Sequence, residues 1–282
     1  MLQAMSAELM KLTRHKATWF LVWLYPVGLL IIFTLMISGN LVSDAAPKQP
    51  ELESWLRETA LVWSAPGSTF GRYLLAAFVS VVFAGEYGWN TWKLIVPHRR
   101  RSSLIAAKYL SILLLFLIAF TLAAIITVLG QMLEDTLSGD TIPAGVSLGA
   151  LLRVHGNTAL ASLAAALITI GYASLAAVLT RSTIAALVIA IVAVTVEQLL
   201  FNFAPVFSVK APGLVSFLYH VLPGYHLANL GSWINTGTGI EATLPRVGTI
   251  ALSWQASAAA AVAWILGLAA LTFVTFRRQD LN

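Results

Sequence analysis

Hydrophobic and polar positions fall in long blocks along this chain. Apolar runs occupy residues 17–38, 69–84, 109–133, 158–179, 184–204 and 254–276. A helix needs about 20 apolar residues to cross a bilayer, and all but the shorter run at 69–84 reach that. The pattern predicts an all-α membrane protein with six transmembrane helices. Residues 1–16 carry Leu2, Met5, Leu9 and Leu12 at helical spacing, with Glu8, Lys11 and Arg14 on other faces. That predicts an N-terminal interfacial helix; an ordinary charged flank is the plainer alternative. The first long run exceeds the roughly 7–15 residues of a signal-peptide core. It is read as a retained span, with Pro26 a candidate kink.

The connections differ in character. Residues 39–68 are polar, and 51–62 reads as a short surface helix. Residues 134–148 form a second acidic connection, and 180–183 a very tight turn. Residues 205–253 are too broken by Pro and Gly for a simple span, yet 214–222 and 225–234 are apolar and aromatic. They predict short helices lying on the outer leaflet or re-entering it, the latter only where protein or a cavity surrounds them. The fourth and fifth spans are rich in small residues such as Ala165, Gly171, Ala173, Ala186 and Ala190. Small residues let helices approach closely in lipid, so both spans are expected to pack against protein.

Composition agrees. The chain is 59% hydrophobic and 10% charged, against about 25% charged in soluble domains. No segment is polar enough for a separate soluble domain, so residues 1–282 read as one transmembrane domain. With no cysteine, disulfides, thiolate catalysis and Cys-type metal sites are excluded. The net charge of +5 reads as topology, with no nucleic acid expected. Eleven of the 17 Lys and Arg fall in alternate connections, among them Lys11, Lys93, Arg99, Lys108, Arg181 and Arg277. The positive-inside rule then puts both termini in the cytoplasm.

Motifs for bond chemistry are missing. There is no Gly-x-x-x-x-Gly-Lys-Ser/Thr, His-Glu-x-x-His or Gly-x-Ser-x-Gly, so the chain is not expected to be an enzyme. His220 and His226 lie six apart without a nearby carboxylate and read as interface residues, with no metal expected. Glu197 lies within the fifth span, where an ionisable group is costly and marks function by default. Two readings stand: it faces a translocation path or partner subunit, or it is a paired carboxyl locking helices together. Arg72 and Arg153 are its candidate partners, although Arg72 is read first as snorkelling to the outer head groups. Glu86 ends the second span and is expected to cap it or to pair with Lys93 or the Arg99–Arg101 run.

The stretch Gly85-Glu86-Tyr87 to Thr91-Trp92-Lys93, then Pro97, Arg99-Arg100-Arg101 and Lys108, stands out. Trp89, Trp92, Leu94, Ile95 and Val96 suit one or two turns of an amphipathic helix ended by Pro97. With the Ala7–Leu12 amphipathic start, the six spans and the long last outer connection, the chain resembles the membrane subunit of a type-2 ABC exporter.

The resemblance implies a permease in a bacterial cytoplasmic membrane, paired with a separate ABC-type ATPase in two copies. A second permease copy completes it, a homodimer rather than a heterodimer. The permease holds no cofactor itself; ATP and Mg belong to the ATPase. Residues 87–97 would be the coupling helix, with Glu86, Trp89, Trp92, Lys93, Arg99 and Arg181 at the ATPase contact. Glu197, Phe201 and Phe203 would line the path or the dimer interface. The apolar outer helices suggest an amphipathic or lipid-like cargo, a peptide or a drug. The competing class is an ATPase-independent immunity or sensor protein that binds a ligand at its outer face.

Overall fold

The computed structural model describes residues 2–40, 49–88, 92 and 100–280. Helix dominates. An amphipathic α1 (Leu2–Thr13) leads into α2 (Lys16–Leu21) and α3 (Leu24–Asn40). Next come α4 (Leu52–Ala60), a 3-10 segment (Leu61–Gly67) and α5 (Thr69–Gly88). The long helices α6 (Arg101–Ser138), α7 (Leu148–Thr180) and α8 (Thr183–Ser208) follow. Short helices α9 (Pro212–Val221) and α10 (Pro223–Thr236) precede a hairpin of β1 (Glu241–Leu244) and β2 (Gly248–Ala251), and α11 (Trp254–Arg278) ends the fold.

Five helices among the described residues are long and apolar enough to cross a membrane: α5, α6, α7, α8 and α11. The expected first span is divided. Val22 and Trp23 interrupt it, and both donate to Thr18 O. Pro26 explains the break, because it has no N–H to return to the Val22 carbonyl. It sits instead in the first turn of α3, where a missing donor costs nothing. The apolar helix beyond it, Leu24–Gly39, is shorter than the other five. The remaining spans run past their apolar cores. Thus α6 starts at Arg101 and ends at Ser138, well outside 109–133, because helix continues wherever caps allow it. Ser147, Ser182 and Ser253 cap α7, α8 and α11 by accepting from the backbone N–H three residues on. The turn expected at 180–183 forms, with Arg181 left-handed at φ 56°.

Helix α7 is the hub, packed against α4, α5, α8, α10, α11 and the 3-10 segment. Its buried face is mostly small: Ala165, Gly171, Ala173, Ala176 and Ala177. A Cβ on Gly171 would lie 2.8 Å from the Leu268 Cβ, so only glycine lets α11 approach so closely. Gly171→Val should therefore cost about 1–3 kcal/mol by overpacking, and Leu268→Ala should recover part of it. The thermal midpoint of the purified chain in mild detergent reads both; no change in Gly171→Val would remove this contact from the account.

Helix α8 departs from expectation. Ala186, Ala190, Val194 and Glu197 form one buried stripe, while Ile184, Val188, Val192 and Val196 are exposed. Only one face of this small-residue helix packs within the chain. The segment 205–253 does hold two short helices, each opening with Pro-Gly at its first positions. The hairpin after them was not legible, since four-residue strands carry almost no period. It pairs Glu241 with Ala251 through Leu244 with Gly248. Tyr225 pins it: its hydroxyl donates to Ile240 O and accepts from Leu252 N.

Candidate functional site

Two charged constellations sit at opposite ends of α5. At one end the basic connections gather. Arg101 donates to the carbonyls of Arg277 and Gln279, and the Gln279 amide donates to Val178 O. The starts of α6 and the ends of α7 and α11 are thereby tied together.

Glu86, near the last turn of α5, meets α1 and α6 at the same end. Lys108 Nζ lies 2.9 Å from Glu8 and 3.0 Å from Glu86, and donates to Val82 O at 2.9 Å. Lys11 pairs with Glu86 as well, and with Glu8 at 2.8 Å. Burial draws the Lys11 ammonium down, yet the Glu8 and Glu86 carboxylates outweigh it and hold its pKa above the ordinary lysine value. Lys108 is only 2% exposed. Glu86 thus pairs with Lys11 and Lys108; of the residues expected near it, Trp89, Lys93, Arg99 and most of 87–97 lie outside the described residues.

Trp92 corrects a second expectation. Its ring was expected to meet a soluble partner, but it is 3% exposed. It packs 4.5 Å from the Phe276 ring and 5.9 Å from Tyr87, with Lys108 Nζ 5.2 Å above it. A cation over a tryptophan face is attracted to it. The Trp92 ring is therefore part of the bundle's packing. Arg181 is exposed in its tight turn.

Towards the other end of α5, Arg72 is buried and turned inward, which overturns the snorkelling expectation. Its Nη1 and Nη2 donate to the two Glu197 oxygens at 2.7 and 3.0 Å, and its Nε to Thr169 Oγ1 at 2.8 Å. Tyr172 donates to Glu197 at 3.4 Å. This planar two-bond geometry is the strong form of a carboxylate–guanidinium pair. An opposing carboxylate removes the reason to reach for the surface. Arg153, the other candidate partner, is exposed early in α7. Thr169 and Tyr172 carried no signal in the sequence, since a lone hydroxyl in an apolar helix is common.

The ion pair borders a cavity of about 460 Å³, also lined by Thr69, Ser162, Gln198, Phe201 and Asn202. Thr69 donates to Gln198 across its edge. Phe201 belongs to this site but Phe203, 49% exposed, does not. Residues two positions apart on a helix differ by about 200° at 3.6 residues per turn, so the two rings cannot share a face.

The paired histidines resolve differently. His220 bonds Ser216 O in its own helix at 2.7 Å. His226 is buried between His220 O at 2.8 Å and Ser257 Oγ at 3.3 Å. Among the described residues no three His, Asp or Glu side chains group to hold a metal. Burial pushes the His226 pKa below 6.5; the bond to His220 O opposes this and the His220 ring adds to it. A depressed histidine stabilises the fold fully above the ordinary value and loses that contribution as pH falls below 6.5. The thermal midpoint should drop from pH 7 to pH 5, and His226→Gln should flatten that slope. An identical slope in the variant would assign the effect to other groups.

The family model described as ABC-2 family transporter protein matches residues 4–197. No curated protein and no solved structure matches the chain. The matched region runs from α1 to Glu197 and so contains both charged constellations. The chain belongs to the ABC-2 family of transporter proteins, as a multi-pass membrane permease component.

Proposed function

We propose that the chain is the permease of an ATP-driven exporter in a bacterial cytoplasmic membrane. It works as a homodimer with two copies of an ABC-type ATPase that binds ATP and Mg. The basic end faces the cytoplasm, in line with the positive-inside rule. The single observation that carries the coupling role is the Glu8–Lys11–Glu86–Lys108 network. It clamps α1, α5 and α6 together beside Trp92. A push on residues 87–97 would then move three helices as one body.

Helix α5 carries that movement. Glu86 and Arg72 lie on one helix, about 21 Å apart at 1.5 Å per residue. Closing the ATPases would tilt α5 against α8, and the cavity at Arg72–Glu197 would change its access. The permease makes and breaks no bonds; it converts a rigid-body shift between two packings into transport. Membership of the ABC-2 family favours this reading over an ATPase-independent sensor. The cargo is amphipathic or lipid-like.

Purification in mild detergent from the native host tests it. An ABC-type ATPase should co-elute, and inside-out vesicles should accumulate cargo only with ATP. Lys93→Glu should abolish both while the chain stays folded. A chain that elutes alone, folded, from cells that make such an ATPase would overturn the proposal.

A further inference from the structure

The cavity between α5, α7, α8 and α10 has a chemical bias that bears on the cargo. Among the described residues only two charged side chains line it, Arg72 and Glu197, and they cancel each other through two short bonds. Thr169 takes a further edge of the guanidinium. A ligand with net charge would give up water here and meet no opposing charge, which is costly. A neutral polar ligand pays only in hydrogen bonds exchanged.

The rest of the polar lining is hydroxyl and carboxamide, including Thr158, Ser162, Gln198, Asn202 and Asn235. Each of these groups can both donate and accept. Ligand hydroxyls have the same dual capacity as this lining and fit it in many registers. Phe201 and Leu227 add an apolar side, suited to the C–H faces of a sugar ring. The volume, about 460 Å³, falls within the roughly 300–1,000 Å³ of small-molecule sites.

Hydrocarbon-accepting surface begins at the same wall. Ser162 also lines a second cavity of about 320 Å³, bounded by Trp63, Pro66, Leu75, Phe120 and Leu163. Gly67 packs on Ser162 between the two; a Cβ there would lie 3.2 Å from the serine hydroxyl. We infer that the polar cavity takes the uncharged, polyhydroxylated head group of an amphiphile, as a neutral glycolipid carries. This rests on the transport reading for its biological role, and it names the cargo chemistry that reading leaves open.

Binding tests it without any ATPase. The full chain is placed in nanodiscs holding equal amounts of monoglucosyl diacylglycerol and phosphatidylglycerol with the same acyl chains. Retained lipid is counted by native mass spectrometry. The glycolipid should be kept about tenfold over phosphatidylglycerol, a difference of about 1.4 kcal/mol. Asn202→Leu, outside the ion pair, should remove most of that preference at unchanged thermal midpoint, and Gln198→Leu, which also gives up the Thr69 bond, should remove it too. Methyl β-glucoside, the head group without chains, should compete. Competition as strong as that of the glycolipid itself would point to a free sugar as the source of the same chemistry. Equal or better retention of phosphatidylglycerol, or a preference untouched by both variants, overturns the inference. Failure here leaves ATPase co-elution unaffected, so the two readings fail separately.

Discussion

Glu197→Ala should remove most of the folded protein. It leaves the Arg72 guanidinium buried without its counter-ion, and breaking a buried pair from one side costs about 3–5 kcal/mol. Arg72 is 2% exposed and Glu197 3%, so water cannot take over. Arg72→Ala should do the same from the other side. The double variant Arg72→Met/Glu197→Leu distinguishes the two roles of the pair. Apolar replacement of both partners is often neutral for stability, so the double variant should elute as a folded species with a near-native thermal midpoint. If the pair only locks helices, transport survives in that double variant. If it shapes the path, the fold returns and transport stays lost, which is the result expected here. A stable single variant would mean that the pair contributes little to either.

Lys108→Met should have the second-largest effect. The substitution keeps the length of the side chain but removes from Glu8 and Glu86 one of the two cations that pair with them among the described residues. The Lys108 bonds to Glu86 and to Val82 O are buried and the one to Glu8 is partly so, so about 3–5 kcal/mol is the upper scale. The Trp92 ring loses its cation as well. Lys11→Met should be milder, because the Lys11 side chain is 42% exposed and water screens what is lost. The pair of variants is read by thermal midpoint and by ATP hydrolysis of the permease–ATPase complex. Folded Lys11→Met protein with ATP turnover no longer linked to transport would support the network as the coupling clamp. Equal and small effects of both variants would remove it from that role.

Much of this was legible beforehand, and the reason differs from residue to residue. The apolar runs located five long helices and the shorter apolar α3, because burial in lipid acts on each helix by itself. Pro26 announced a disturbance, but its place was read as a kink in one helix instead of the break at Val22–Trp23. The tight turn at 180–183 was plain from Thr-Arg-Ser-Thr between two apolar runs. Glu197 was marked by its cost alone, and its partner was named only as one of two arginines. Arg72 was read as a surface-seeking side chain, since nothing local to it showed Glu197, 125 residues away. Lys108 was counted among the basic residues of a connection, yet it lies inside the bundle against Glu8, 100 residues distant.

The sequence by itself determined which segments are apolar enough for the helices of a membrane protein, the end at which positive charge collects, and the family of the chain. These follow from local composition and from motifs contiguous along the chain. Only the tertiary structure decided which charges neutralise each other, which ring packs into the bundle, and which face of α8 is left open. Those outcomes depend on how far helices rotate and how closely they approach, and that is set by packing among residues remote in sequence, such as Gly171 against Leu268. A charge in an apolar helix must find a partner, but the identity of that partner is a property of the packed bundle.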